Sequence, residues 1–297
     1  MYSVIMSIFI ATSSTSHLDI SYKDEPITEA VKEDYIVPFV GLIESRKVEE
    51  LISSINNKVT IEPINAELDE KGNIIPGKSG QMLDQSLFKE QFYRFLYTKQ
   101  LSSMEVPIRT IYPRVDGELL DSIRDNQISE YVTYYNSGNK ERSKNVSLSA
   151  KAINNVVVFP NETFSFNRIV GKRTKEKGYL PAPVIVKGEL VEDIGGGICQ
   201  VSSTLYNAID RAGLKVTERY SHSKSVPYVP PKRDATVSWY GPDFSFQNNY
   251  QQPILIRAKA KNGVVTISIF SSNNVKPLKR EVPEAIEDLP REIEVGE

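Results

Sequence analysis

Cysteine is nearly absent: the 297 residues contain one, Cys199. A single thiol excludes an internal disulfide framework and any cysteine-cluster metal site. Histidine is as scarce, with only His17 and His222, and two imidazoles do not build a His-rich zinc or iron centre. An excess of charge of one sign is missing too. Lys+Arg 36 against Asp+Glu 38 leaves a formal net charge of −2, so no strong positive field exists to hold nucleic acid. What is present is ordinary for a packed globular protein: 40% hydrophobic and 25% charged residues, in a length that suits about two domains. Any chemistry must be done with very few polar specialists, and no motif implies a metal or cofactor.

The two ends differ from the middle. Tyr2 to Ala11 is a short apolar run followed by serines and threonines, well under the roughly 20 residues that span a bilayer. It resembles the apolar core of a signal peptide without the basic residues that precede one. Two readings stay open, a leader or first strand, or the remnant of a longer signal or membrane anchor encoded upstream. Lys23 to Asp34 is charged and unpatterned, as in a linker, so residues 1–33 are read as leader plus linker. Lys279 to Glu297 is mostly Glu, Arg and Pro without a period, and 279–297 is expected to be a disordered, solvated tail.

In the first half, Val48, Leu51 and Ile55 share one face of a helix over Lys47–Ile55. Lys58 to Leu68 reads as a strand through Val59, Ile61 and Ile64, with Pro63 marking an edge or a break. A turn cluster, Asp69 to Asn73, comes next. Phe88, Phe92, Phe95 and Leu96 then make a helical stripe within Ser86–Leu101, and Val106–Ile111 is a closing strand. The acidic residues lie in turns or on solvated faces, so nothing catalytic is assembled here. The order Ala66-Glu67-Leu68, Gly72, Pro76-Gly77, Gly80, Leu83-Asp84, helix and strand resembles a peptidoglycan-binding domain of bacterial cell-wall proteins. That resemblance implies a small α+β module over 34–113. The same glycines are also accounted for by tight turns alone.

The second half is predicted to be a domain over 120–275. Gln127 to Ser137 reads as a polar connector, Asn145–Asn155 as a helix and Val156–Phe159 as a strand. Further strands are expected at Pro183–Val186, Ala235–Trp239, Pro253–Lys261 and Val264–Phe270, the last pair joined by a Lys261-Asn262-Gly263 hairpin turn. At the centre stand three consecutive glycines, Gly195, Gly196 and Gly197, which permit a backbone path that side chains would block. A helix follows through Cys199, with Val201, Leu205, Ala208, Ile209 and Ala212 at helical spacing and Gly213 as its stop. The fold class is therefore α+β in two domains, the second carrying a central Cys-bearing helix on an antiparallel sheet.

A thiol at a helix N-terminus meets unpaired N–H groups and the positive end of the dipole, which favour thiolate. His222 and Asp234 follow in the order that a thiol nucleophile, its base and an orienting carboxylate could adopt. Gln200 could offer an amide or its own N–H to an oxyanion. Ser202 lines the same helix without a second base, which argues against a serine hydrolase. Arg219 suits bidentate carboxylate recognition, Asp243 could take an amine, and Trp239 could stack on a sugar or peptide. With Gly195–Gly197, these form a ligand-binding set. Each also has a bland reading: a buried inert Cys, a helix-surface amide, a surface ion pair or a core aromatic.

The Cys, His and Asp order loosely resembles transglutaminase-like and papain-type cores, where a Cys opens a buried helix and the His and Asp lie on adjacent strands. A closer resemblance covers Asn145 to Phe270. Phe164-Ser165-Phe166-Asn167, Gly171-Lys172-Arg173-Thr174, Gly178-Tyr179, Ala182 to Ile185, Gly195 to Ala208, Glu218-Arg219, His222-Ser223, Val226-Pro227-Tyr228, Asp234 to Val237 and Asp243 to Asn248 together look like the VanW family. The resemblance implies an extracytoplasmic envelope protein, associated with membrane or cell wall, whose partner is peptidoglycan or a muropeptide. It implies no nucleic acid partner, and a membrane only through an N-terminal anchor. Two functions stay open: Cys-dependent acyl transfer or amide hydrolysis on wall peptide, and non-catalytic binding or scaffolding. An intracellular role is the third option if no signal precedes the chain.

Overall fold

Apolar stripes at helical spacing and short alternating runs divide the chain into many small elements, and the computed structural model describes residues 17–98, 101–186 and 189–287. The apolar run at Tyr2–Ala11 and residues 288–297 lie outside these. The first elements are β1 (His17–Tyr22), β2 (Glu25–Val31), a 3-10 turn Lys32–Tyr35, α1 (Ser45–Val59), β3 (Glu67–Leu68), β4 (Ile74–Ile75), β5 (Gly80–Leu83), α2 (Gln85–Thr98), β6 (Ser103–Glu105) and β7 (Ile108–Ile111). They are followed by α3 (Gly117–Ile123), β8 (Asn126–Tyr134), α4 (Lys140–Ile153), β9 (Val156–Val158), β10 (Thr163–Ser165), α5 (Phe166–Val170), β11 (Pro181–Val186) and β12 (Glu189–Ile194). The chain goes on through α6 (Ile198–Arg211), β13 (Lys215–Glu218), β14 (Ser245–Gln247), β15 (Ile254–Lys261) and β16 (Val264–Ser271). The architecture is mixed α+β, divided into two units: residues 1–66 with 76–114, and residues 67–75 with 115–297.

In the first unit, β1 pairs antiparallel with β2 and parallel with β6, and β5 pairs with β7. Val48, Leu51, Ile52, Ile55 and Val59 of α1 and Phe88, Phe92, Phe95 and Leu96 of α2 meet Leu18, Ile20 and Met104 in one core. The phenylalanines recur on one side of α2 as their spacing predicts, and the Phe88 and Phe92 rings stack at 5.7 Å. Asp84 opens α2 by accepting from Leu87 N at 3.1 Å. Two expectations change here. Lys23–Asp34, expected as linker, forms a turn, β2 and most of the 3-10 turn, with Ala30 buried in the same core as Ile20 of β1. The strand expected over Lys58–Leu68 does not form: Val59 ends α1, and Ile61 and Ile64 make only isolated bridges to Gln81 and Lys78.

In the second unit, an antiparallel sheet in the order β8-β16-β15-β9 carries α4 and α6, which pack against it and against each other. A smaller sheet runs β10-β14-β13, and β11 pairs with β12 in a hairpin leading into the glycine loop. The core joins Val201, Leu205, Ala208 and Ile209 of α6 to Ile254, Ile256, Val265, Ile267 and Ile269 of the sheet. Residues 127–137, expected as a connector, mostly form β8. Its inward row, Ser129, Tyr131 and Thr133, is polar or amphipathic and so hides the alternation. The β3–β4 hairpin, which falls inside the expected 34–113 module, belongs to this second unit. Asn155 Nδ2 and Arg257 Nη1 donate to Leu68 O at 3.0 and 3.1 Å, and Arg257 Nη2 donates to Asp69 O at 2.7 Å.

The start of the expected tail is ordered by the same unit. Val282 is buried in the second core. Arg211 Nη2 donates to Val282 O at 2.9 Å, and Tyr131 Oη donates to Pro283 O at 2.8 Å. Charge-rich composition hid a short apolar anchor at Val282 among the Glu, Arg and Pro residues.

Candidate functional site

The glycine loop sets the entrance to α6. Gly195 and Gly197 have φ of +94° and +100°, and Gly197 is the N-cap of the helix. Gly196 is needed for a different reason: a Cβ there would lie 2.4 Å from the carbonyl oxygen of Ala182 on β11. Asn145 of α4, fully buried, pins this crossing. Its Nδ2 donates to Gly196 O at 3.0 Å and Leu180 O at 2.8 Å, while its Oδ1 accepts from Leu180 N at 2.8 Å. Each of the three glycines therefore has a backbone role. Cys199 is the second residue of the helix, within the first turn, whose N–H groups lack intrahelical acceptors.

One face of α6 is bonded to the extended segment Arg233–Val237. Asn207 Nδ2 donates to Arg233 O at 2.8 Å. Ser203 Oγ accepts from Ala235 N at 2.8 Å, and Ser202 Oγ donates to Ala235 O at 2.5 Å. At the end of this row Cys199 Sγ donates to Val237 O at 3.6 Å and lies 3.8 Å from Thr236 Oγ1. Positions 199, 203 and 207 thus meet 237, 235 and 233. Four helical residues rise about 6 Å and two extended residues about 6.6 Å, so the two rows stay in step. The strand expected over Ala235–Trp239 is absent because these backbone groups bond to helix side chains in place of a neighbouring strand.

That row fixes Asp234, and Asp234 fixes His222. The Asp234 Oδ2 atom lies 2.6 Å from His222 Nδ1 and also accepts the His222 backbone N–H at 2.6 Å. Both side chains are buried, at 6% and 8% exposure. With Nδ1 facing the carboxylate, Nε2 is the ring nitrogen left for the Cys199 thiol. Burial alone would push the imidazole pKa down. The Asp234 hydrogen bond, followed by the hydrogen bond and charge of Cys199, outweighs it and the pKa is pushed up to about 9. Burial likewise works to raise the thiol, but the hydrogen bond and charge of His222 outweigh it and hold the thiol below its ordinary value. Asp234 is held low: burial opposes its ionisation, and the side-chain and backbone bonds from His222 prevail. These shifts favour proton transfer from the thiol to the imidazole, with Asp234 bracing the charged ring.

Other expected site residues are placed elsewhere in the scheme. Gln200 is fully buried, and its amide is spent: Oε1 accepts from Arg142 Nη2 at 2.6 Å, and Nε2 donates to Thr133 Oγ1 at 3.0 Å and Tyr134 O at 2.9 Å. Its backbone N–H donates to Gly197 O at 3.0 Å, so neither donor is left for an oxyanion. Ser202 is fully buried and tied to Ala235 O. Arg219 donates to Asp234 O at 2.7 Å and covers the Tyr206 ring at 4.8 Å, closing the 219–234 loop. Asp243 accepts from Asn167 N, Phe244 N and Ser165 Oγ at 2.9, 2.8 and 2.5 Å, which makes it a bracket for α5. Trp239 is 41% exposed in a turn two residues beyond the carbonyl that meets Cys199, not on a strand.

Three further residues surround the thiol. Tyr228 is buried, and burial followed by the Cys199 charge pushes its pKa well above 10. Thr236 and Val237 face Sγ as described. An adjoining pocket of about 200 Å³ is lined by Ser221, His222, Ser223, Lys224, Ser225, Pro231, Lys232 and Asp234. A larger cavity of about 480 Å³ involves Tyr206, Asp210, Lys215, Arg219 and Arg280, away from the Cys199 end of the helix. Among the described residues no three His, Cys, Asp or Glu side chains form a metal-binding group. None of the described helices is long and apolar enough to cross a membrane.

Comparison with known proteins sets this geometry in a family. Residues 141–270 match the family described as "VanW like protein", and residues 10–102 match the one described as "Putative peptidoglycan binding domain". A Bacillus subtilis (strain 168) relative, named "Uncharacterized protein YoaR", is 54% identical over 278 residues, covering 93% of this chain and 92% of that protein. "Vancomycin B-type resistance protein VanW" of Enterococcus faecalis (strain ATCC 700802 / V583) is 35% identical over 78 residues, 26% of this chain and 28% of that one. No solved structure matches.

Proposed function

Because the chain belongs to the VanW-like family and carries a peptidoglycan-binding-type domain, we propose that it is a cell-envelope protein that engages peptidoglycan and acts on wall peptide through Cys199. The observation that carries this reading is the Cys199–His222–Asp234 chain, in which a lowered thiol faces a raised imidazole braced at 2.6 Å. The Cys199 thiolate attacks a peptide carbonyl carbon, forming a C–S bond. The C–N bond breaks as protonated His222 gives its proton to the departing amine. Water, or the amine of a second wall peptide, then attacks the thioester carbonyl carbon, His222 takes the proton from it, and the C–S bond breaks to release the product and regenerate the Cys199 thiolate. Hydrolysis and acyl transfer differ only in that second nucleophile. A Cys at the head of a buried helix, followed in chain order by His and Asp, is shared with transglutaminase- and papain-like cores, and we propose a related core for the second domain, with the difference that His222 and Asp234 lie on extended segments outside the strands. The location that fits is extracytoplasmic, at the wall or membrane surface.

The test is incubation of the full chain with purified muropeptides, followed by intact-mass analysis and detection of released amine. A mass adduct that maps to Cys199, with amine release abolished by Cys199→Ala, is expected. Absence of both, with a native thiol that resists alkylation, overturns the enzymatic reading. The second reading, a binder without chemistry, is favoured by the match at residues 10–102, which needs no nucleophile. It expects sacculus binding that Cys199→Ala leaves unchanged.

A further inference from the structure

Arg173 is a cation that the fold buries and does not pair. Its Nη1 and Nη2 atoms are both sealed from solvent without a hydrogen-bond partner, although a guanidinium is the side chain most demanding of acceptors. The stem lies against Gly195, where an added Cβ would sit 3.2 Å from Arg173 Cγ, at the head of the loop that ends in the N-cap of the Cys199 helix. The guanidinium stands over the Phe166 ring at 5.9 Å. Asp243 lies near enough to feel the charge, but its oxygens are taken by Asn167 N, Phe244 N and Ser165 Oγ. Burial lowers the Arg173 pKa, and the charges of Cys199, Tyr179 and Asp243 oppose that shift without supplying a hydrogen bond. A planar fork of free donors beside a thiol matches the geometry of one ligand group above others, a carboxylate held bidentately. Arg219 had been the expected carboxylate reader, and its Nη1 is bonded to the carbonyls of Asp234 and Lys232, which ties it to the 219–234 loop.

We infer that Arg173 is the specificity residue of the Cys199 site and takes a carboxylate on the ligand, so that the site selects peptides with a free carboxyl close to the bond that meets the thiol. This rests on the reading of Cys199 as the reactive thiol. It absorbs the Gly171-Lys172-Arg173-Thr174 motif, which the triad leaves without a role. The residue retains partial exposure, so reorientation of the guanidinium brings its fork to an arriving ligand.

The experiment compares two alkylating reagents on the full chain at pH 7, neutral iodoacetamide and anionic iodoacetate. Both form the same S–C bond with loss of iodide, and only iodoacetate carries a carboxylate. Arg173→Gln is expected to lower the iodoacetate-to-iodoacetamide rate ratio at least tenfold, with any fall in the iodoacetamide rate much smaller than the fall with iodoacetate. Arg173→Lys keeps the charge but loses the fork, and should lower the ratio severalfold. If Arg173→Gln does not fold, as judged by circular dichroism, the lysine variant carries the comparison. An unchanged ratio overturns the inference. Equal slowing with both reagents also overturns it, since Arg173 then only stabilises the thiolate. If the wild-type thiol resists both reagents, the acyl-transfer reading fails and the carboxylate site is read separately. Cys199→Ala is then titrated with muropeptides whose carboxyls are free or amidated. A preference for free carboxyls that Arg173→Gln abolishes upholds the site, and no preference overturns it.

Discussion

A single oxygen of Asp234, Oδ2, is 2.6 Å from both the ring Nδ1 and the backbone N–H of His222. The carboxylate therefore fixes the position of the residue and the orientation of its ring together. Five experiments follow from this arrangement and its supports.

The thiol should titrate early. Iodoacetamide labelling of native Cys199 is expected to show an apparent pKa well below the roughly 8.5 of a free thiol, consistent with the lowering by His222. His222→Ala should move the inflection upward and slow labelling at pH 7 by about tenfold, a one-unit shift in thiolate fraction. A native thiol that labels only on unfolding contradicts the site.

The brace should act on stability in one pH window. His222 has a pKa of 6.5 when free and about 9 in the fold. Its contribution is complete below 6.5 and is lost as pH rises through about 9. In a Cys199→Ala background, Asp234→Asn should cost at most about 3 kcal/mol, at ~1.4 kcal/mol per pKa unit. Its melting deficit should be greatest near pH 6 and shrink as pH rises through the imidazole pKa of that background, which lies below about 9 because the Cys199 contribution is gone. A deficit that is flat with pH rules out the charged pair as its source.

Ser203 holds the row that carries Asp234. Its hydroxyl donates to Cys199 O at 2.7 Å and accepts from Ala235 N at 2.8 Å. Ser203→Ala leaves a buried N–H unpaired and should cost about 1–3 kcal/mol in urea unfolding. A loss under about 0.5 kcal/mol would show that the row does not need this bond.

Gly196→Ala places a methyl 2.4 Å from Ala182 O, whereas the nearest atom to a Cβ at Gly241 is 3.6 Å away, a side-chain atom of Ser238. The first substitution should cost at least about 2 kcal/mol or prevent folding, and the second should stay within about 0.5 kcal/mol. Equal effects in chemical denaturation would refute the close crossing.

Removal of residues 279–297 should lower the melting temperature by several degrees, because Val282 and the carbonyls that meet Arg211 and Tyr131 go with it. A solvated tail predicts no change in differential scanning calorimetry.

Much of the framework is legible in the sequence where one physical signal dominates. The α2 phenylalanines and the Val201, Leu205 and Ile209 row announce their helices by spacing. Asn262 and Gly263, at φ of +51° and +80°, announce the last hairpin. Chain order alone brings Cys199, His222 and Asp234 into one hypothesis. Other features carry no such periodic mark. The inward face of β8 is polar because Thr133 bonds Thr204 at 2.8 Å and receives the Gln200 amide. Segment 233–237 imitates a strand but bonds to a helix. Gln200 looks available in a string of letters and is consumed by backbone and side-chain partners, while Arg219 is tied to its own loop through Nη1. Arg173 is the reverse case, since only its surroundings reveal that a common surface residue is left unpaired.

The β3–β4 hairpin has a consequence for how this protein can be inherited and dissected. The family matches describe two modules in tandem, as though either could be exchanged by recombination at one junction. Yet residues 67–75, interrupting the first unit, supply the carbonyls of Leu68 and Asp69 to Asn155 and Arg257 of the second. A clone that begins at Val115 would strip two acceptors from Arg257, a guanidinium whose pKa burial already lowers. The chain crosses between its units at three places, so no single breakpoint yields both halves whole, and a gene that acquires the Cys199 domain by a cut at the apparent boundary acquires it with a missing part.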